Sequence, residues 1–200
     1  MSSNRSIILF ICFFAYFGYS FQTAKPTKWI ISKSCSLKVA GSTNINKFNC
    51  AITNYYKPDT LTIYKASNTS AIRITGKMDL DVNNFDCHNP VMTADLRKTL
   101  KGKIYPHLTI NFLSLNRYPD FKQKSGEIRG RVNIELAGVN KQFDVDYRFF
   151  TNGANALTLV GKRKINFSDF KIIPPRKLGG MIETNNELDI EFNLQLKVLN

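Results

Sequence analysis

From Trp29 onward, apolar and polar residues alternate with a period of two. In "ELDIEFNLQLKVL", Leu188, Ile190, Phe192, Leu194, Leu196 and Val198 interleave with Asp189, Glu191, Asn193, Gln195 and Lys197. That alternation predicts a strand with one buried and one wet face. It recurs in Ile72, Ile74, Met78, Leu80 and Val82, in Leu108, Ile110 and Phe112, and in Ile128, Val132, Ile134 and Leu136. It returns in Phe143, Val145, Tyr147 and Phe149, and in Leu157, Leu159, Ile165 and Phe167. With "WIISKSCSLKVAG" and "KFNCAITNYY" the runs number eight.

Turn signals around Pro119, Gly138 and Gly153 separate neighbouring runs, and short connections imply sequential antiparallel pairing. Eight such strands predict an all-β, antiparallel up-and-down barrel, which leaves no exposed edge. A two-sheet sandwich is the alternative, disfavoured because the runs are about ten residues or longer.

One stretch breaks the alternation. In "FDCHNPVMTADLRKTLKGKIYPHLTINF", "ADLRKTLK" predicts one short helix, capped by Thr93, with Asp95 in its first turn, Lys98 and Lys101 in its last, and Gly102 as terminator. Leu96 and Leu100 share a face at i, i+4, so the helix is expected to lie as a flap or plug at a barrel mouth. A second interruption, "NFSDFKIIPPRKLGGMI", carries the rigid Pro174-Pro175 pair and the flexible Gly179-Gly180. So long a segment between two strands reads either as a functional rim loop or as a cover for an apolar barrel end.

The composition, 43% hydrophobic and 22% charged, belongs to a folded chain with a sizeable core. The first twenty residues stand apart: Arg5, then the apolar "SIILFICFFAYFGYS", then small residues at Gly18 and Ser20. This reads as a secretory signal peptide over residues 1–20, with one barrel domain over 21–200. The segment is shorter than the roughly 20 apolar residues of a membrane-spanning helix. Without Arg5 the chain keeps 27 basic against 15 acidic residues, a net +12. Such a charge favours anionic partners. Export and the lack of a recognisable motif argue against nucleic acid, leaving an anionic membrane surface or phosphate-headed ligands.

Candidate chemistry is sparse. His88 and His107 are the only histidines, and with Cys35, Cys50 and Cys87 they show no zinc-ligand spacing. No metal site is expected. In an oxidising compartment a disulfide is the better reading. If the second and third runs form one hairpin turning at "SNTS", its midpoint between Asn68 and Thr69 sets Cys50 opposite Cys87, with Pro58 interrupting the ladder and Cys35 left as the odd thiol. Cross-strand partners lie within reach of a disulfide. No G-x-S-x-G or triad is present, and Asp95 and Arg97 read as dipole and surface-pairing residues rather than as acid and clamp.

Four blocks, "GSTNINKFNC", "FDCHNPVMTADLRKTLKGKIYPHLTINF", "GRVNIELAGVNKQFDV" and "INFSDFKIIPP...GGMI", resemble in that order the YceI-like family, over nearly all of the chain after the signal segment. Cys35 and Lys171 depart from the family pattern, Lys171 standing where a small residue is common. The resemblance implies an exported, lipocalin-like barrel that binds a polyisoprenoid or similar amphiphilic lipid, such as a quinone or a polyprenyl phosphate, and is not an enzyme. A structural or stress-response barrel filled by its own side chains is the alternative. No cofactor is expected beyond such a lipid. Contact with an anionic membrane and pairing as a homodimer are the further partner expectations. For the tail, the inward faces and rim point to Phe112, Leu136, Phe149, Phe167, Phe170, Ile172 and Leu178. For a polar head, the cations flanking the opening are Arg97, Lys98, Arg176 and Lys177, with Arg97 and Arg176 ranked first because a guanidinium fork suits phosphate oxygens.

Overall fold

The alternating runs build β1 (Thr27–Ile31), β2 (Ser36–Ser42), β3 (Lys47–Ile52), β4 (Thr60–Lys65), β5 (Ile72–Thr75) and β6 (Lys77–Asp81). They continue through β7 (His107–Leu115), β8 (Ser125–Leu136), β9 (Val139–Thr151), β10 (Ala156–Asn166), the two-residue β11 (Arg176–Lys177) and β12 (Ile182–Glu183), and β13 (Glu187–Leu199). The structure, a computed structural model, describes residues 25–65, 71–153 and 155–199. The signal-peptide assignment and the "SNTS" turn fall outside these residues.

The strands form eight staves of a closed antiparallel barrel. β1 and β2 lie end to end along β13, β3 and β4 lie end to end beside them, and β5 with β6 completes the third stave. β7, β8, β9, β10 and β13 follow in chain order, and β13 returns to β1. Every stave pairs with its neighbours in sequence, the up-and-down arrangement rather than the sandwich. Each inward position named from the alternation of the later runs, from Ile72 to Val198, is buried.

The breaks within staves have local causes. Residues 32–35 bulge out between β1 and β2, where the Cys35 thiol accepts a hydrogen bond from Gln195 N (3.1 Å). Tyr55, buried in the break between β3 and β4, bonds through its backbone N–H to Lys33 O (3.0 Å) and gives its hydroxyl to the Asp59 carboxylate. The same hydroxyl accepts from Asp79 N (3.3 Å), so one aromatic strap ties three staves together.

The ends of the barrel differ. At the closed end β1 is paired on both sides, and the loop after β7 folds across so that Tyr118 stands 5.6 Å from Trp29 and 6.0 Å from Phe121. At the mouth end β3 and β6 share no ladder, only one bridge between Ala51 and Asp86.

Candidate functional site

The split between β3 and β6 is closed covalently. β4 and β5 pair in a register that sets Thr62 opposite Thr75. Eleven residues further out on both arms the same register sets Ala51 against Asp86, and the next step joins Cys50 to Cys87 in a disulfide. The hairpin geometry expected from the sequence survives the Pro58 interruption because both arms carry breaks of matching length. With both sulfurs so engaged, neither cysteine is available to a metal.

From this staple the chain enters α1 (Pro90–Thr99). The helix begins earlier than the sequence reading expected. Asn89 is its N-cap, accepting from Met92 N (3.0 Å), and Pro90 takes the first turn, the position where a missing N–H costs nothing. Thr93 is not the cap: it is buried inside the helix and accepts from Cys87 N (3.0 Å). Asp95 consequently leaves the first turn and faces Lys177 of the rim. At the other end Lys101, not Gly102, adopts the left-handed conformation (φ 56°). Lys101 N and Gly102 N then bond back to Lys98 O and Arg97 O, the two-bond closure of a Schellman turn.

The rim, residues 167–186, opens with a 3-10 turn over Phe167–Phe170, boxed by Asn166 N donating to Asp169 Oδ2 (2.8 Å). Lys171 follows in the left-handed region (φ 54°), a conformation that costs an L-residue about 1 to 2 kcal/mol. The β11–β12 hairpin is laced to the β2–β3 turn through Asn44, which donates to Met181 O (2.9 Å) and accepts from Glu183 N (3.1 Å).

Beneath helix and rim lies a cavity of about 50 Å³, lined by apolar side chains but for one residue. Leu96 and Leu100 roof it, Leu136 and Phe170 close the rim side, and Leu37, Val145 and Phe192 form its wall and floor. A second hollow, a groove of about 320 Å³, runs outside between α1 (Val91, Met92, Leu96), the β2–β3 turn with the start of β3 (Ile45, Phe48) and the rim (Phe167, Pro175, Lys177, Ile182). Leu96 borders both spaces. The Lys177–Asp95 ion pair (2.7 Å) crosses the groove from rim to helix.

The expected tail residues divide into three groups. Leu136 and Phe170 line the cavity and Phe167 lines the groove. Phe112, Phe149 and Ile172 are buried in the core outside both spaces, and Leu178 is exposed on the rim hairpin. Among the cations, Arg97 donates from Nη2 to Phe85 O (2.8 Å), tying α1 to the disulfide segment, and its buried Nε has no partner among the described residues. Arg176 pairs with Glu183 (3.4 Å). Neither arginine lines the cavity or the groove, and Lys98 is exposed at the helix C-terminus. The cavity does have one charged lining residue, Arg163, which the sequence reading passed over. The signal was present: Arg163 falls in apolar phase, two residues from Gly161 and two from Ile165, both buried.

No protein-family model and no curated protein sequence matches the chain. Solved structures do. The polyisoprenoid-binding domain from Saccharophagus degradans implicated in plant cell wall breakdown aligns with a TM-score of 0.62 at 12% identity, over 86% of this chain and 98% of that one. BcnA of Burkholderia cenocepacia gives 0.61 at 16% identity, over 80% and 95%. The Campylobacter jejuni YceI protein gives 0.51 at 14% identity, over 71% and 82%. At such identities the likeness is one of fold, and it is the fold of the YceI-like family that the four sequence blocks resemble.

Proposed function

We propose that this protein is exported and binds an isoprenoid or similar amphiphilic lipid, with the tail in the barrel beneath α1. One observation carries the reading: a closed barrel with an internal cavity lined by apolar side chains and one arginine, and outside it a largely apolar groove, with Leu96 bordering both. Apolar cavities stay dry and take apolar guests. At about 50 Å³ the cavity is far below the roughly 300 Å³ where small-molecule sites begin, whereas the groove reaches that range. A long tail therefore requires Leu96 to swing aside and merge the two spaces. The disulfide supports an oxidising compartment, and the Saccharophagus relative supports an isoprenoid as guest.

The mouth end also carries exposed apolar tips on three separate elements: Ile45 at the β2–β3 turn, Val91 on α1, and Ile173, Leu178 and Met181 on the rim. Exposed lysines at 98, 101 and 103 stand at the C-terminal end of α1. We extend the proposal to peripheral contact of this end with an anionic membrane, from which a lipid could be drawn. The deciding experiment is native mass spectrometry of protein purified without detergent, followed by organic extraction. An apolar ligand released at near-stoichiometric yield is expected. Ligand-free protein that also takes up no added polyprenyl alcohol or phosphate would leave a barrel filled by its own side chains.

A further inference from the structure

The mouth end has a second lateral seam. β8 and β9 pair to their shared turn at Leu136 and Val139, and β10 pairs with β13 as far as Asn166 and Glu187. Between them, β9 and β10 part company: their last registered pair is Lys162 with Asp146. Beyond it the gap is wedged by the 3-10 turn of the rim. Phe170 enters from that turn with its ring 5.9 Å from Phe143 of β9, and Asp169 on the same turn pairs with Lys141 (3.3 Å). These are side-chain contacts in place of a backbone ladder, so this seam can open without breaking strand pairing.

Arg163 is the first inward position of β10 past the last pair. It lies opposite the buried Ile190 and lines the apolar cavity, yet the residue is exposed. Its guanidinium lies 6.0 Å from the Phe143 ring and makes no hydrogen bond or ion pair with a described residue. Asp144, the adjacent acid on β9, is engaged by Arg131 (2.8 Å). A cation in apolar phase, with its stem on a dry cavity and its head at a seam, is arranged to hold an anion at the surface while a chain runs inward.

We infer that Arg163 is the head-group anchor of the barrel, selecting amphiphiles with an anionic head, carboxylate or phosphate, whose tail enters between β9 and β10. This rests on the lipid-binding reading above and adds the head chemistry and the route. The test is calorimetric titration of the full chain with decanoate, decyl phosphate and decanol, for wild type, R163Q and R163M, the last preserving an apolar stem, with thermal unfolding confirming that each variant is folded. Both variants should bind one or both anions roughly tenfold or more weakly, as expected for loss of a charge-assisted contact, with decanol unchanged. The anion that loses more identifies the head. Equal losses for all three ligands, or no loss for either anion, would overturn the anchor while leaving lipid binding intact. A wild type that binds none of the three overturns the anchor and the lipid-binding reading together.

Discussion

The closed end and the mouth end of this barrel use the same alternating strands and reach opposite outcomes. At the closed end every stave is paired on both sides and the interior is solid: Tyr147 occupies the space above Gly130 and Gly161, where an added Cβ would lie 2.8 and 2.5 Å from its ring. At the mouth the ladders stop short at two seams, β3 against β6 and β9 against β10, and a disulfide, a helix and a rim turn fill in. An eight-stranded barrel is just wide enough to be filled by side chains or to hold one small ligand. This one does the first at one end and keeps a cavity of about 50 Å³ at the other.

If the closed end is plain core, truncation there should cost stability without touching binding. Phe149 is 1% exposed, with its ring packed over Gly126, and Phe149→Ala should destabilise by about 3 to 5 kcal/mol. Ligand occupancy per folded molecule, read by native mass spectrometry, should not change. A selective loss of occupancy would extend the site into the closed end. Next in size, the Cys50→Ser, Cys87→Ser double variant opens a loop with a sequence separation of 37 and should cost about 3 to 4 kcal/mol. Here hydrogen exchange should speed up first in α1 and residues 82–89, because only one bridge then holds the β3–β6 seam.

How much of this could be read from the sequence follows the same division. Strand alternation reports which face is buried, so the inward residues from Ile72 to Val198 and the disulfide register were legible; both depend on local period and symmetric hairpin arms. The helix start differs because Thr93 has the residue type of a cap, whereas Asn89 is the cap and Pro90 opens the first turn. Only the fold shows that Thr93 is needed inside, to accept from Cys87 N. Arg163 was passed over because a charged residue in apolar phase looks like a broken strand until the neighbouring ladder is seen to end beside it. Seams are relations between distant segments, and no single segment encodes them.

Leu96 tests the boundary between the two spaces at the mouth. Leu96→Ala removes the shared wall and should cost about 2 to 3 kcal/mol, less than Phe149→Ala because the groove already lies open beside it. It should also lengthen the longest tail accepted in a series of alkyl alcohols. Unchanged length selectivity would show that cavity and groove do not communicate there.

A pH titration separates the ends by another route. Burial pushes the Tyr147 phenol well above the usual tyrosine range. The unfolded chain ionises this group near pH 10 and the folded chain does not, so above about pH 10 the unfolded state binds fewer protons and stability falls as pH rises. The loss approaches about 1.4 kcal/mol per pH unit for this one group. Denaturant midpoints at pH 9 and pH 11 should show it, and Tyr147→Phe should flatten the slope. An unchanged slope would mean that Tyr147 is accessible to water, contrary to a solid closed end.

The smallest expected effect in stability concerns the ion pair across the groove. Lys177 and Asp95 lie 2.7 Å apart with side chains 49% and 31% exposed, and such half-exposed pairs contribute about 0 to 1 kcal/mol. Its value as a latch is separate from its value as a stabiliser: rim and helix are each anchored elsewhere, the rim through Asn44 and the helix through Arg97 and Thr93. This pair joins them over the opening. A double-mutant cycle with Asp95→Asn and Lys177→Met should return a coupling below about 1 kcal/mol in unfolding. In ligand kinetics the same variants should leave association and dissociation rates unchanged, because a guest that enters between β9 and β10 does not pass under this latch. Rates that rise together at nearly constant affinity would place the route between helix and rim and not at the β9–β10 seam.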